Sequence, residues 1–417
     1  MLLNYLKIAW KVLLRRKFFA AISLFGISFT LMILLVVYSF FDYAVGPHRP
    51  ELHTDRLLFI NRMQLLYRGG GQNNSSVGYA FLNQRVRALR SPEKVSVSEA
   101  NPGTAVAYVG QHTLKLDQRR TDGEFWQVLD FDFLAGRPYN PQEVRAAAHV
   151  AVINETTARQ YFGAVAGAVG QTIEVDAVRY QVVGVVHDVP VMRLLTYADV
   201  WVPITTTPDD LRKPDLLGAY QAIVLARDPG DVLRVQDEYD QLVARQPLPE
   251  PQKYERLVSH ALPLMTNLTA RFSGGELAPG GGNRFLRLLV LLGLLFMLLP
   301  ALNLVNINVS RTLERSGEIG VRKAFGATAR RLAGQFLLEN IFLTLLGGAL
   351  GLGLAAGALH LLNSSQFIPH SEFALNGRVF GVALGVVLFF GVLSGAYPAY
   401  KMSKLQAVKA LKGDNAA

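Results

Sequence analysis

Residues 303–351 read NLVNINVSRTLERSGEIGVRKAFGATARRLAGQFLLENIFLTLLGGALG. The pattern changes twice along this stretch. Asn303–Ser310 close an uncharged run of 23 residues that begins at Leu288. Residues 311–331 then carry Arg311, Arg315, Arg322, Lys323, Arg330 and Arg331 against only Glu314 and Glu318. From Leu338 the chain is apolar again to Leu362, with Glu339 near the start. A helix of about 23 residues at about 1.5 Å per residue is about 35 Å long, enough to cross a hydrocarbon core of about 30 Å. The stretch therefore reads as the end of one membrane span, a short basic loop, and the start of the next.

Working outward, two more uncharged runs have similar lengths, 24 residues at 18–41 near the N-terminus and 22 at 379–400 near the C-terminus. Four spans are predicted: 18–41, 288–310, 338–362 and 379–400. The first is longer than a signal-peptide core, and Ser39-Phe40-Phe41-Asp42-Tyr43 offers no small-x-small cleavage site, so it reads as an uncleaved anchor. The basic residues set the orientation. Segments 1–17, 311–331 and 401–417 hold 15 basic and 3 acidic residues, a net +12 against +10 for the whole chain, so all the rest is net −2. The positive-inside bias places these three segments, and both termini, in the cytoplasm. Residues 44–283 then lie on the opposite side as one large domain. Within 1–17, Leu2, Leu6, Ala9, Trp10 and Leu13 fall on one helical face and Lys7, Lys11 and Arg15 on the other, the pattern of an amphipathic helix along the inner leaflet.

The composition agrees. Half of the 417 residues are hydrophobic and the mean hydropathy is +0.23, yet 18% are charged, which suits a chain part embedded in lipid and part soluble. No cysteine is present, which excludes a disulfide framework, a thiolate metal site and a cysteine nucleophile. The pI of about 9.7 would suit a nucleic-acid partner, but the excess charge sits beside the spans, and no basic domain is left for that role.

The 44–283 domain reads as mixed α+β. Strands are expected at 57–60, 95–98, 106–109, 149–153, 172–175 and 180–186, where β-branched residues concentrate. Helices are expected at 80–89, 155–162 and 232–245, the second with Asn154 as N-cap and Gly163 as C-cap. Gly69–Ser76 reads as a mobile loop, and Ser273–Gly282 as a flexible joint before the second span. The fold class is an α-helical membrane protein with four transmembrane helices and a mixed α+β extracytoplasmic domain.

Catalytic signatures are missing. The dipeptide Gly-Lys never occurs, so these residues hold no P-loop for ATP. There is no HExxH, no GxSxG and no metal-ligand spacing among the eight histidines. Asp130-Phe131-Asp132 reads as a turn with buried aromatics rather than a metal site, and His187-Asp188 as a polar loop pair. No catalytic residue, cofactor or metal is assigned.

The 303–351 block closely resembles the FtsX-like/MacB-like permeases, the membrane subunits of a class of ABC systems. The matching residues are Asn303 and Arg311, then Glu318-Ile319-Gly320, Arg322, Ala324 and Gly326-Ala327, then Gln335 and Glu339. The tail Gly395–Tyr400 with Leu405, Ala407, Val408 and Leu411 is similar to the family's closing pattern. Val128–Gly136, Val150–Gly163, Tyr180–Val191 and Trp201-Val202-Pro203 resemble the MacB-type periplasmic core. The resemblance implies a permease in a bacterial inner membrane, working as a dimer with a second copy or a paralogue, and paired with a separate ABC ATPase. A periplasmic adaptor is a further partner it suggests, besides membrane lipids. MacB carries its ATPase at the N-terminus; here 17 residues precede the first span, so the ATPase is expected on another polypeptide.

The short loop 311–331 is the segment expected to meet that ATPase. Ser316 could cap a helix beginning near Gly317, with Glu318 favourable in its first turn. Ile319 and Phe325 offer apolar contacts, Arg322 and Lys323 charge, and Gly320 and Gly326 either close approach or a break in the helix. Arg311, Glu318, Ile319, Gly320, Arg322, Lys323, Phe325 and Gly326 are the candidate coupling residues; binding of anionic lipid by the same loop is the alternative. Asn303 and Asn306, Glu339, and the small-x-x-x-small pair Gly347 and Gly351 are the candidate packing residues within the membrane. Gly353/Gly357 and Gly381/Gly385 share that spacing. The expectation is mechanical transmission: ATP-driven motion, relayed to the outer domain, extrudes a substrate such as a peptide, drug or lipoprotein. The alternative is a non-transporting ABC-linked regulator of a periplasmic hydrolase or sensor.

Overall fold

The computed structural model describes residues 17–110, 112–272, 286–295, 321, 325 and 328–365, and thirteen positions between 373 and 392. They form two compact units, one holding the described residues of 17–42 and 287–392, the other those of 43–286. The predicted amphipathic helix at 1–17 (bar Lys17), the Ser273–Gly282 joint and the 401–417 tail lie outside the described residues.

α1 (Lys17–Val45), in the first unit up to Asp42, covers the first predicted span, and a helix at Ala329–Ser365 covers the third. Among the described residues these are the two helices long and apolar enough to cross a membrane, over Ala20–Val45 and Asn340–Ser365. The second predicted span is described over Leu286–Leu295, an apolar helix, and the fourth only at separate helical positions. Ile27, Leu31 and Leu35 of α1 bury against Leu343 and Ala355. Phe18, Phe25, Leu291 and Leu361 stay exposed, which suits helices whose outward faces meet hydrocarbon rather than water.

The second unit is built on fifteen strands among the described residues: β1 (Leu57–Ile60), β2 (Met63–Tyr67), β3 (Gln72–Val77), β4 (Pro92–Glu99), β5 (Gly103–Val109), β6 (His112–Thr121), β7 (Phe133–Gly136), β8 (Val150–Asn154), β9 (Thr172–Val175), β10 (Val178–Val186), β11 (Val200–Pro203), β12 (Leu217–Gly218), β13 (Tyr220–Ala226), β14 (Tyr254–Val258) and β15 (Leu262–Pro263). Eleven of them follow the order β11-β8-β10-β9-β5-β6-β4-β13-β3-β2-β14, while β1 pairs with β13 and β15, β7 with β10, and β12 with β3. β11 also pairs with β6 in parallel, Val200 opposite Gln118 through Pro203 opposite Thr121. That pairing closes β11, β8, β10, β9, β5 and β6 into a ring. Residues two apart on a strand face the same side, and Ala105 and Ala107, Ile173 and Val175, Ala151 and Ile153, and Val200 and Val202 form a single apolar core. α2 (Glu155–Phe162) covers it with Ala158, which is fully buried. As expected, Asn154 caps α2, accepting from Thr157 N at 2.8 Å, and Gly163 ends it at φ 82°.

The second core of this unit lies around β13, all seven of whose residues are buried, paired with β4 and β1. α3 (Val232–Ala244) turns Val235, Tyr239 and Val243 inward at intervals of four. Trp126, Phe131 and Trp201 pack edge-on at centroid distances of 4.9 to 6.1 Å. Asp122 is buried and ties three segments together: it accepts from Ser96 Oγ, Val97 N, Phe125 N and Arg87 Nη2.

Two expectations are corrected. Gly69–Ser76 is not a mobile loop: Gly70 and Gly71, at φ 88°, turn the chain, and Gln72–Val77 is a strand pairing with β2, Ser75 opposite Met63. Of its six residues only Val77 is buried, and the backbone ladder needs no apolar side chain at the others. The helix expected at 80–89 is an α turn at Tyr79–Phe81 running into a π turn at Leu82–Val86.

Candidate functional site

The residues singled out for coupling and packing fall in the first unit. Arg311, Glu318, Ile319, Gly320, Arg322, Lys323, Gly326, Asn303 and Asn306 lie outside the described residues. Phe325 is described: it is 89% exposed, and its amide donates to Val321 O at 3.0 Å, one helical turn earlier. An aromatic side chain so exposed has no packing role within its own chain among the described residues, and it presents apolar area outward. Glu339 lies on the Ala329–Ser365 helix.

Gly347 and Gly351 stand one turn apart on that helix and face α1. A Cβ on Gly347 would lie 2.8 Å from Ile27 Cγ2, and one on Gly351 would lie 2.9 Å from both Leu31 Cβ and Ser28 O. Close approach of two helix backbones needs small residues at the crossing, and these two glycines supply it. Ser28 turns its hydroxyl back onto Phe25 O at 3.2 Å, so its polar group is satisfied within α1. Thr344 does the same on the other helix, donating to Asn340 O at 2.8 Å. Gly353, Gly357, Gly381 and Gly385 share the spacing but not the contact: nothing among the described residues lies within 4 Å of a Cβ built on them. Spacing identified the glycines; their partners Ile27, Ser28 and Leu31 carried no signal beyond a serine inside an apolar run.

Near the far end of the same helices, Asn363 brackets the backbone of Phe373, accepting from its N at 3.0 Å and donating to its O at 2.9 Å. The Phe373 ring packs on Phe40 of α1 at 4.2 Å, and Arg378 reaches Asp42 at 3.5 Å.

In the second unit residues 130–132 form no turn but an irregular stretch leading into β7, and the half-buried Phe131 packs against Trp201 at 5.3 Å. Asp130 faces His53 at 3.5 Å, and His187 sits between Glu155 at 3.2 Å and Asp132 at 4.0 Å. Asp188 accepts from Thr156 N and Oγ1. Among the described residues no three His, Asp or Glu side chains converge to hold a metal ion. A cavity of about 320 Å³ is lined by Asn61, Arg62, Asn74, Ser75, Ser76 and Asn101 with Ala100, a polar lining with little to offer an apolar cargo.

Both units match known families. Residues 20–242 match the MacB-like periplasmic core domain, and residues 290–407 match the FtsX-like permease C-terminal region. The chain belongs to the FtsX-like/MacB-like family of ABC permeases. It is 26% identical to the macrolide export ATP-binding/permease protein MacB of Burkholderia cenocepacia over 421 residues, 98% of this chain and 57% of the relative. The protein of the same name from Escherichia coli K12 is 27% identical over 69% of this chain and 42% of its own length. The chain thus spans about half the length of the curated relatives it matches. The periplasmic region of MacB from Actinobacillus actinomycetemcomitans is similar at 13% identity and a TM-score of 0.34, over 52% of this chain and 94% of that one.

Proposed function

We propose that this chain is a four-span permease subunit that relays ATP-driven motion across the inner membrane to a periplasmic domain, and that the motion extrudes a substrate. The observation that carries the reading is the pair of family matches, periplasmic core over residues 20–242 and permease region over residues 290–407, the second of which takes in the second predicted span. In this reading the spans are 18–41, 288–310, 338–362 and 379–400, with both termini cytoplasmic. ATP is hydrolysed by an ATPase outside these 417 residues, which hold no P-loop. The basic loop 311–331 meets that ATPase through Arg311, Glu318, Ile319, Gly320, Arg322, Lys323, Phe325 and Gly326; the outward-facing ring of Phe325 supports this. Two copies, or a copy and a paralogue, work together, and a periplasmic adaptor continues the path outward. The relatives' names make macrolides a class of cargo to test first. Asn303 and Asn306 are proposed to hold the helices together by interhelical amide bonds.

The test is a mild-detergent pull-down of the tagged full chain from its native membranes, with mass spectrometry and an ATPase assay on the eluate. The reading expects an ABC ATPase with vanadate-sensitive activity, and an adaptor if the system exports. An eluate holding that ATPase with a wall hydrolase or sensor kinase instead supports the regulatory alternative. An eluate lacking any ATPase after crosslinking overturns both.

A further inference from the structure

The sequence VMRLLTYADV at 191–200 places a single arginine in an apolar stretch between β10 and β11. Arg193 and Glu51 form an ion pair, and both side chains are 0% exposed. Arg193 Nη1 donates to Glu51 Oε2, and Thr196 Oγ1 donates to Glu51 Oε1 at 2.7 Å. The other arm of the guanidinium, Nη2, reaches the carbonyls of Tyr43 at 3.1 Å and Gly46 at 2.8 Å. Tyr43 is in the last turn of α1 and Gly46 directly follows it. Carbonyls at a helix C-terminus have no partner within the helix, and a cation there is doubly favoured, by hydrogen bonding and by the helix dipole. One buried fork thus binds a helix end and a carboxylate at once, a geometry suited to arginine and not to lysine.

The residues that follow are tied to the sheet one after another. Arg119 of β6, also fully buried, donates to Leu194 O at 2.8 Å and Tyr197 O at 3.0 Å. Gln221 of β13 donates to Leu195 O at 2.6 Å. Trp201 Nε1 donates to Thr196 O at 3.3 Å. The Asp199 carboxylate accepts from Asp117 N and from Asn154 Nδ2, each at 2.9 Å. Segment 193–199 therefore has buried polar bonds to β6, β8, β13 and the end of α1.

We infer that residues 193–199 are the joint that ties the chain's entry into the outer domain, Tyr43–Glu51, to the sheet, with Arg193 as its pin: the bonds to Tyr43, Gly46 and Glu51 make the residues from Tyr43 onward part of the domain's own fold. This rests on the reading that ATP-driven helix motion moves that domain. A buried pair is a costly way to gain stability, since apolar residues of the same volume often serve as well. Its directionality fixes one geometry at a position where the chain leaves a membrane helix. Arg193, with its side chain fully buried, is a positioning residue for transmission.

The absence of cysteine makes the test direct. Tyr108, 66% exposed on β5, is replaced by a single spin-labelled cysteine in the full chain, in native membrane vesicles that contain the ATPase. The copy-to-copy distance is measured without nucleotide and with ATP and vanadate. The wild-type background is expected to show a shift. Arg193→Lys keeps the charge beside Glu51 but loses the fork; its shift should fall below half, while ATP hydrolysis continues and the thermal unfolding profile stays cooperative. Thr196→Val, which deletes one bond and no charge, should give a smaller loss and carries the same comparison if the lysine variant does not fold. An undiminished shift in a folded variant overturns the joint and leaves the transmission reading standing. No shift in the wild-type background overturns the transmission reading, and the joint with it.

Discussion

Gly351 and Leu31 approach so closely that a Cβ on the glycine would lie 2.9 Å from the leucine Cβ, with Ser28 O equally near. Backbone atoms cannot yield as a flexible side-chain tip can. Gly351→Val, alone or with Gly347→Val, should therefore part the two helices at a cost of about 1–3 kcal/mol, the usual range for overpacking. Gly353→Ala and Gly357→Ala, in the same helix with nothing within 4 Å, should destabilise nothing and gain up to about 1 kcal/mol of helix propensity each. Thermal unfolding of the detergent-solubilised chain, followed by tryptophan fluorescence, checks both. Equal effects at the two pairs would remove the asymmetry.

Charge reversal in the basic loop, Arg322→Glu with Lys323→Glu, is expected to abolish ATPase stimulation while the protein still inserts and pulls down lipid. Phe325→Ala should reduce stimulation with no change of charge, since its ring is 89% exposed and packs on nothing among the described residues. ATP turnover by the recovered complex is the readout. Unchanged turnover in both variants takes this loop out of the mechanism.

Burial pushes the Asp122 carboxyl up to about 6, against the pull of Arg87, the Val97 amide and the Ser96 hydroxyl. Between the ordinary carboxylate range and about 6, the folded protein keeps a proton that the unfolded chain has released. This group's contribution to stability therefore falls as pH rises through that window and is flat above it. Relative to Asp122→Asn, the wild-type chain should lose several degrees of Tm between pH 4.5 and 6.5. Parallel Tm profiles for the two would rule out this titration.

Asn154 caps α2 through Thr157 N at 2.8 Å and ties β8 to Asp199 through its Nδ2 at 2.9 Å. It is fully buried. Asn154→Ala loses a cap worth about 1 kcal/mol and leaves buried groups unpaired at about 1–3 kcal/mol more. Asn154→Asp keeps the cap but sets a second carboxylate against Asp199, so it should destabilise as well, and less at acidic pH. Urea unfolding of the chain in micelles would show both effects.

Much of this was legible in the sequence, for identifiable reasons. α1 announced itself because 24 uncharged residues have few uses outside a bilayer. β8, β9 and β10 carried β-branched runs, and α2 carried both of its caps. β13 was missed although all seven of its residues are buried, because YQAIVLA does not alternate: a strand covered on both faces has no period-two signal. β3 was missed for the opposite reason, its polar QNNSSV being compatible with a ladder only once β2 is beside it. Gly347 and Gly351 were legible by spacing, while their distinction from Gly353 and Gly357 needed the position of Ile27. Arg193 left one faint sign, a lone charge among apolar neighbours. Its partner Glu51 stands 142 positions earlier, beyond the reach of any local pattern.

β11 begins where the 193–199 segment ends, and it lies between β8, antiparallel, and β6, parallel. In the proposed transmission, a tug along that segment would meet the strand lengthwise. Its hydrogen bonds on both sides then resist together in shear, whereas a strand at an open margin would peel away bond by bond. Because the ring is closed, the load passes to neighbours on either side and returns around the barrel wall. Within the ring of six strands, a pull on β11 finds no free strand edge from which to start peeling.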